Sequence, residues 1–415
     1  MEYIEHSFPS GLRLIYKYAP SPVAHAGVTI AAGSRHEEAH EQGLAHFLEH
    51  CLFKGTHKRN ATQILKRMEE VGGEINAFTA REETSVHATF LARHYTRAIE
   101  LFADILFNST FPAKELENEK KVILEEIKSV KDNPYEYVLD HFDSLVFSNH
   151  PLGQSILGNP KSLKSFTAAH LQEFLRKHYR PENIVLSFVG NIDMKVLVRK
   201  IEQHFPCQAS GKSTERSASP FRIFKPEDYK PFDTRISKRT FQTHCVLGNL
   251  AYHLEDEKRV PFALLNNMLG GPAMSSLLNL HLREKRGRAY TVESHFSPFT
   301  ETGVFLIYLG TDFMQLKDSL QLIEKILKGL RENDLSETSL RKAKEQYLGQ
   351  IAISFDSNFN QMISMGKSLQ VYGSVDTFEE IENKINAVTA ESVRLVAAEV
   401  LNPEKMSTLA YLSAK

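Results

Sequence analysis

A chain of 415 residues is too long for one ordinary hydrophobic core, so we expect two or more domains. Its apolar fraction of 42% and its charged fraction of 24% are those of a soluble globular protein. The formal net charge is −1, from 50 basic and 51 acidic residues, which gives no reason to expect a nucleic acid or a membrane as a partner.

The N-terminal residues predict neither a secretion signal nor a transit peptide, because Met1 to Ser10 lacks a basic region followed by an apolar run. No apolar run approaches the ~20 residues that span a bilayer. Three widely spaced cysteines do not suggest a disulfide framework. We therefore expect a cytoplasmic protein, unless a targeting segment has been removed.

In the first half, runs rich in β-branched and aromatic residues predict strands, and 3.6-residue periodicity predicts helices. Gly72-Gly73 marks the end of one of these helices. The predicted strands are 12–18, 24–32, 74–80, 84–92 and 184–189. The predicted helices are 61–71, 95–107, 113–130, 135–147, 163–178 and 194–204, besides one that carries the histidines and closes near Lys54-Gly55-Thr56.

The second half has a similar mixture of strands and helices. The predicted strands are 242–250, 290–292, 303–309 and 407–412, and the predicted helices are 259–269, 275–283, 314–331, 336–355 and 389–400. Strands and helices mixed without strict βαβ alternation indicate the α+β class.

Residues 206–231 are the best linker candidate, since they hold a glycine, four prolines and several serines with little periodicity. The predicted domains are therefore 1–205 and 232–415. Each half ends with a helix, a Pro-Glu pair (Pro181-Glu182 and Pro403-Glu404) and a strand. This repetition suggests a duplication.

The chemistry of the first half is concentrated in His46-Phe47-Leu48-Glu49-His50. On a helix, His46 and His50 rise from one face a turn apart, and Glu49 lies on its flank. Two imidazoles at this spacing can hold a metal ion, and H-x-x-E-H is the inverted form of the zinc motif H-E-x-x-H. By themselves these residues also fit a solvated or core pair of histidines.

A literal H-E-x-x-H lies ten residues upstream, in His36-Glu37-Glu38-Ala39-His40. A zinc-binding helix needs an apolar side to anchor it, and between Ser34 and Gln42 only Ala39 is apolar. We therefore interpret the upstream match as a polar loop that leads into a helix.

The motif and its surroundings resemble the inverzincin metallopeptidases, which include pitrilysin, insulin-degrading enzyme and the mitochondrial processing peptidase. His46–His50 is followed by Leu52-Phe53-Lys54-Gly55-Thr56, as in that family. The other matching blocks are Gly72-Gly73 with Asn76–Thr79, Val122–Ile127, Leu269–Gly271, Met274–Ser276, and Leu282–Gly287 with Ala289-Tyr290. Departures are Cys51, where methionine is common, and Leu277-Leu278 in place of Arg-Leu.

The resemblance implies a zinc metalloendopeptidase with His46, His50 and Glu126 as ligands of Zn²⁺. Glu126 lies 76 residues after His50, the family's spacing, whereas Glu125 projects from another face of the helix. Glu49 would take a proton from the attacking water and pass it to the leaving amine. Glu119, two turns before Glu126, would be a supporting carboxylate.

The resemblance also implies how a peptide substrate is held. Asn76, Ala77 and Phe78 would lie on an edge strand that pairs with the extended substrate backbone. Arg283 and Tyr290, the family's Arg-x6-Tyr pair, would bind that backbone and stabilise charge on the carbonyl oxygen.

The family fold implies two related α/β-sandwich domains, each an antiparallel-rich sheet covered by helices, which form half of a clamshell. A chain that carries both the zinc motif and the Arg-Tyr pair suggests an active homodimer that encloses an unfolded peptide. Two alternatives stay open: a non-catalytic core-type subunit, and a catalytic subunit of an obligate heterodimer with an inactive partner.

Overall fold

The computed structural model describes residues 3–208 and 222–413. Residues 209–221 of the predicted linker lie outside the described residues. In the described part of the chain the strands are β1 Ile4–Ser7, β2 Arg13–Tyr18, β3 Val23–Ile30, β4 Glu74–Thr79, β5 Thr84–Leu91, β6 Ile184–Gly190, β7 Asp233–Lys238, β8 Thr243–Ala251, β9 Thr291–Pro298, β10 Gly303–Thr311 and β11 Ser407–Ser413.

The α-helices of the first half are α1 Leu44–Cys51, α2 Ala61–Glu69, α3 Tyr95–Phe107, α4 Ala113–Asp132, α5 Pro134–Val146, α6 Pro160–Ser165, α7 Ala168–His178 and α8 Met194–His204. Those of the second half are α9 Arg259–Gly270, α10 Leu316–Glu332, α11 Glu337–Asp356, α12 Asn358–Tyr372, α13 Phe378–Asn386 and α14 Ala390–Val400. The α+β class predicted from the sequence is confirmed.

Two compact units make up the chain. The first contains Met1–Lys128, Gln154–Phe221 and Ile353–Thr377, as far as these are described. The second contains Ser129–Gly153, Arg222–Ala352 and Phe378–Lys415, with the same restriction. Each unit therefore includes a segment from the opposite half of the sequence. The predicted division into 1–205 and 232–415 has no such exchange of segments. That linear division stays a prediction.

The first unit is built on a six-stranded sheet in the order β1-β2-β6-β3-β5-β4. Strand β6 lies near its centre and is buried along its whole length, parallel to β2 and antiparallel to β3. One face of the sheet packs against helices that include α1, α3, α7 and α8. Strand β4 forms an edge of the sheet.

Helix α12, from the second half of the sequence, covers the other face of this sheet. Met362, Met365 and Leu369 pack on Ile15 of β2 and on the neighbouring valines of β6. The approach is close, because a Cβ at Gly366 would lie 2.7 Å from the Thr29 hydroxyl. The helix therefore belongs to the core of the first unit.

The second unit repeats this plan with a five-stranded sheet in the order β7-β11-β8-β10-β9. Strand β11 pairs in parallel with β7 and antiparallel with β8, as β6 does with β2 and β3. Helices α9, α10 and α14 cover one face, and α5, from the first half, packs on the other through Val138, Phe142 and Val146. Each sheet is thus covered by helices on both faces.

The chain has no helix, among the residues described, that is long and apolar enough to cross a membrane.

The predicted helix 275–283 is different in detail, since Asn279–Glu284 forms a π-helical turn. The amide of Lys285 donates a hydrogen bond to the carbonyl of Leu280, five residues earlier, at 3.1 Å. This spacing is typical of a π-helix.

Candidate metal centre

Helix α1 places two imidazoles on one face because His46 and His50 are one turn apart. Their ring centroids are 4.7 Å apart. The opposite face of the helix carries Leu44, Phe47 and Leu48, which are fully buried in the core of the first unit. This apolar anchor holds the two histidines at the surface of the core, each partly exposed.

Helix α4 brings a carboxylate to the same place. Glu126 Oε2 lies 3.9 Å from His46 Nε2, and Glu126 Oε1 lies 3.6 Å from His50 Nε2. Among the described residues, these three are the group of histidines, cysteines and acids whose ligand atoms lie within 4.8 Å of one another. Glu125 points away, with its side chain 72% exposed and paired to Lys128.

The three side chains fit a zinc ion. Two imidazole nitrogens and one carboxylate oxygen are the ligand set of many catalytic zinc sites. Glu126 Oε2 is buried without a hydrogen-bond partner among the described residues, which is costly unless a cation satisfies it. Burial, with a smaller contribution from His50, lowers the pKa of His46 to about 4, so its imidazole is neutral and able to bind a metal at neutral pH.

Glu49 lies beside this cluster and is held from the sheet. The Thr79 hydroxyl, at the end of β4, donates a hydrogen bond to Glu49 Oε2 at 2.7 Å. Burial raises the pKa of Glu49 above its ordinary value, although the bond from Thr79 opposes the shift. A carboxylate with a raised pKa is better matched to proton transfer near neutral pH.

Glu119 connects His50 to a lysine. Its Oε2 lies 3.1 Å from His50 Nδ1 and its Oε1 lies 2.8 Å from Lys54 Nζ. The Glu119 side chain is only 9% exposed, so both contacts are sheltered from water. Glu119 therefore holds the ring of His50 with Nε2 turned toward Glu126.

The predicted substrate-binding residues Asn76, Ala77 and Phe78 lie on β4, which is the edge strand next to β5. The Ala77 amide donates to Oδ1 of its neighbour Asn76 at 2.8 Å. Helix α1 packs against this strand. The first unit thus brings an edge strand next to α1, the helix that carries His46 and His50.

Arg283 and Tyr290 belong to the second unit. Arg283 lies in the π-helical turn, with its side chain 50% exposed and Nε 3.8 Å from Glu284 Oε1. Tyr290 is 54% exposed and donates from its hydroxyl to Asp312 Oδ2 at 3.3 Å. Both side chains are thus half exposed and accessible to a ligand.

Two residues of the site were missed by sequence reasoning. Lys54 lies in a block that matches the family and follows His50 by four residues, but the resemblance assigns it no role. Thr79 ends the matching block Asn76–Thr79, and its contact with Glu49 depends on how α1 packs against β4. The spacing between His50 and Lys54 could have identified Lys54, whereas no spacing in the sequence identifies Thr79.

The fold matches solved structures along nearly its whole length. A structure described as the peptidase M16 inactive domain from Pseudomonas fluorescens superposes with a TM-score of 0.90 at 23% identity, covering 100% of this chain and 98% of that one. A protease from Helicobacter pylori gives a TM-score of 0.90 at 20% identity, covering 99% of each chain. At these identities the likeness concerns the fold.

The sequence comparisons are more specific. Residues 13–160 match the family model Insulinase (Peptidase family M16), and residues 165–347 match the model of the peptidase M16 inactive domain. A Bacillus subtilis protein named as an uncharacterized zinc protease is 35% identical over 95% of each chain. One of Streptomyces coelicolor with the same description is 34% identical over 95% of this chain and 86% of its own. The chain belongs to peptidase family M16.

Proposed function

We propose that this protein is a zinc-dependent endopeptidase that cleaves unfolded peptides. The observation that carries the proposal is the convergence of His46, His50 and Glu126, with ligand atoms within 4.8 Å of one another. The descriptions of the relatives as zinc proteases support it. Three protein ligands leave a fourth position open, as catalytic rather than structural zinc sites do.

When bound, zinc supplies Lewis acidity that activates a water molecule and polarises the scissile carbonyl. Glu49 is the general base, because its carboxylate lies next to the ligands and is held there by the Thr79 hydroxyl. It then gives that proton to the leaving amine. Glu119 keeps His50 oriented while this happens.

The substrate is an extended peptide that adds to β4 as a further strand, through the backbone of Asn76, Ala77 and Phe78. Arg283 and Tyr290 bind the peptide backbone and stabilise negative charge on its carbonyl oxygen. The active form is a homodimer whose chamber encloses the peptide. The competing functions are a non-catalytic structural subunit and one chain of an obligate heterodimer.

The first test is zinc content together with cleavage of a quenched-fluorescent peptide, in the native protein and in Glu49→Gln. We expect one zinc per chain in both, with cleavage reduced by at least about a thousandfold in Glu49→Gln because the general base is lost. The matched control is Glu125→Gln, which removes an exposed carboxylate of α4 and should cleave at the native rate. A native protein that takes up no zinc and cleaves nothing would favour the structural subunit.

A further inference from the structure

The upstream H-E-x-x-H match has a geometry unlike that of a metal site. Ser34–His36 forms a short 3-10 turn, and His36 Nδ1 accepts a hydrogen bond from the amide of Gly33. His40 is exposed to solvent. We call residues 33–37 the entry segment, because they lead into the metal-binding helix α1.

Glu37 of the entry segment is only 4% exposed, which is unusual for a glutamate. Its Oε2 accepts the amide of Gly43 at 2.9 Å and its Oε1 accepts the amide of Ala45 at 2.8 Å. Both oxygens therefore bind donors at the N-terminus of α1. A carboxylate at this end of a helix satisfies orphan amides and interacts favourably with the helix dipole.

Helix α1 needs a cap from outside because its own N-cap residue is Gly43, which has no side chain. A glycine is required there, since the backbone has φ +89° and a Cβ would lie 2.8 Å from the Cα of Gly158. Glu37 thus takes the place of the usual N-cap side chain. Ala45, one of the residues whose amide Glu37 accepts, directly precedes the ligand His46.

The other side of the entry segment is fixed to the turn that follows β4. The amide of Ser34 donates to the carbonyl of Ala80 at 3.2 Å, and the amide of Arg35 donates to that of Arg81 at 2.9 Å. The Arg35 side chain, 2% exposed, forms an ion pair with Glu82. This turn begins one residue after Thr79, which binds Glu49.

We propose that Glu37 is a positioning residue, which sets the metal-binding helix at a fixed place against the edge strand β4. The inference rests on the proposed peptidase function and adds to it a residue that touches neither metal nor substrate. One end of the entry segment holds the first turn of α1, and the other holds the turn that continues β4. The segment therefore relates the ligands on α1 to Thr79 and the strand that receives the substrate.

Glutamine cannot replace Glu37 in this role. Each carboxylate oxygen accepts one amide hydrogen, whereas a carboxamide has one oxygen and one NH2 group. In Glu37→Gln a donor must face either the Gly43 or the Ala45 amide, and a buried pair of donors is costly. The first turn of α1 then shifts, and small displacements of ligands and base cost metal affinity and rate.

The test compares the native protein, Glu37→Gln, Glu37→Asp and the control Glu38→Gln, with folding followed by far-UV circular dichroism. Glu38 is the matched control, because it is the adjacent glutamate and its side chain is 57% exposed. Zinc affinity is measured by competition with a chromophoric chelator, and kcat and KM are measured on fully zinc-loaded protein. All measurements are made well below the unfolding temperature of each variant.

For Glu37→Gln we expect zinc affinity and kcat to fall by about tenfold or more each, and KM to stay within about twofold because β4 is unchanged. Glu37→Asp, which keeps the carboxylate, should recover part of both losses. Native zinc affinity and kcat in folded Glu37→Gln would overturn the proposal, since Glu37 would then serve stability alone.

The remaining outcomes are also decisive. If Glu37→Gln does not fold, Glu37→Asp decides: a reduced kcat per bound zinc supports positioning, and a native kcat overturns it. If the native protein binds zinc but cleaves no peptide, the peptidase proposal fails, while the affinity comparison still tests the role of Glu37.

Discussion

His50 is held by a chain of polar contacts that ends at Lys54. Glu119 has one oxygen on His50 Nδ1 and the other on Lys54 Nζ, at 3.1 and 2.8 Å. Glu119 Oε2 accepts a hydrogen bond from Nδ1–H, and Lys54 holds the other carboxylate oxygen in place. The ring then presents an unprotonated Nε2 toward Glu126, as a metal ligand requires.

We predict that Lys54→Met weakens zinc binding by about tenfold, since loss of such outer partners typically costs ten- to a hundredfold in affinity. The measurement is a competition titration with a chelator. The control is Lys128→Met, which removes an exposed lysine paired with Glu125 on α4, a contact of little energetic value. Equal zinc affinity in Lys54→Met and the native protein would mean that Glu119 orients His50 without the lysine.

Cys51 follows His50 but is fully buried. Burial, reinforced by the charge of Glu119, raises the pKa of its thiol. A buried thiol that stays protonated is a weak nucleophile and an inert core residue. The geometry therefore favours the interpretation of Cys51 as a small core side chain.

Among the strands, β4 is partly exposed and lies at the edge of its sheet. Its partner β5 occupies one side, and no strand formed by the described residues follows on the other side of β4 in the sheet. The Ala77 amide is satisfied by the side chain of Asn76, which is exposed and so can move aside. A peptide that pairs with β4 would take over this donor.

We predict that Ala77→Pro raises KM by tenfold or more, about the value of one or two lost backbone bonds, with little loss of stability. Proline is tolerated on an edge strand where its missing N–H faces outward. The measurements are peptide kinetics and a thermal unfolding curve, with Ala77→Ser as the control that keeps the N–H. An unchanged KM in a folded Ala77→Pro would show that the peptide does not pair at this residue.

Periodicity predicted most helices to within a few residues, as the predicted helix 194–204 and α8 show. It did not reveal α12 or α13, because α12 carries glycine and polar residues on a helix buried only on one side. Periodicity also could not identify the hydrogen-bond partners of the site residues. The bond between Thr79 and Glu49 and the cap from Glu37 depend on how distant segments pack, which spacing along the chain does not record.

For the whole molecule, the two units have the same strand order from β2 to β4 and from β7 to β9. This agreement, with the same parallel and antiparallel pairings, supports the duplication suggested by the two Pro-Glu pairs. In the second unit a cavity of about 390 Å³ lies between α9 and β9. It is lined by Ala263, Asn266 and Asn267, which have the spacing of His46, Glu49 and His50 without their metal-binding chemistry.

We predict that the active protein is a homodimer in which each chain lends Arg283 to the other chain's site. Glu49→Gln and Arg283→Ala should each be inactive alone. After mixing with subunit exchange, random pairing in a two-fold dimer should restore about a quarter of native activity. The measurement is peptide cleavage before and after exchange, with mass by light scattering.

Other outcomes separate the alternatives. Two-chain mass without restored activity would mean that Arg283 acts within its own chain. A single-chain mass with no activity from the native protein would favour a heterodimer that needs an inactive partner.

The position of helix α12 in the sequence has a consequence for folding during synthesis. The sheet of the first unit receives the cover for its second face from Met362, Met365 and Leu369, which the ribosome makes long after the strands of that sheet. At 5–20 residues per second, they emerge roughly ten to thirty seconds after the last strand of that sheet. The nascent polypeptide thus leaves one face of this sheet uncovered until α12 has emerged, and we expect the proposed peptidase activity to appear only after that.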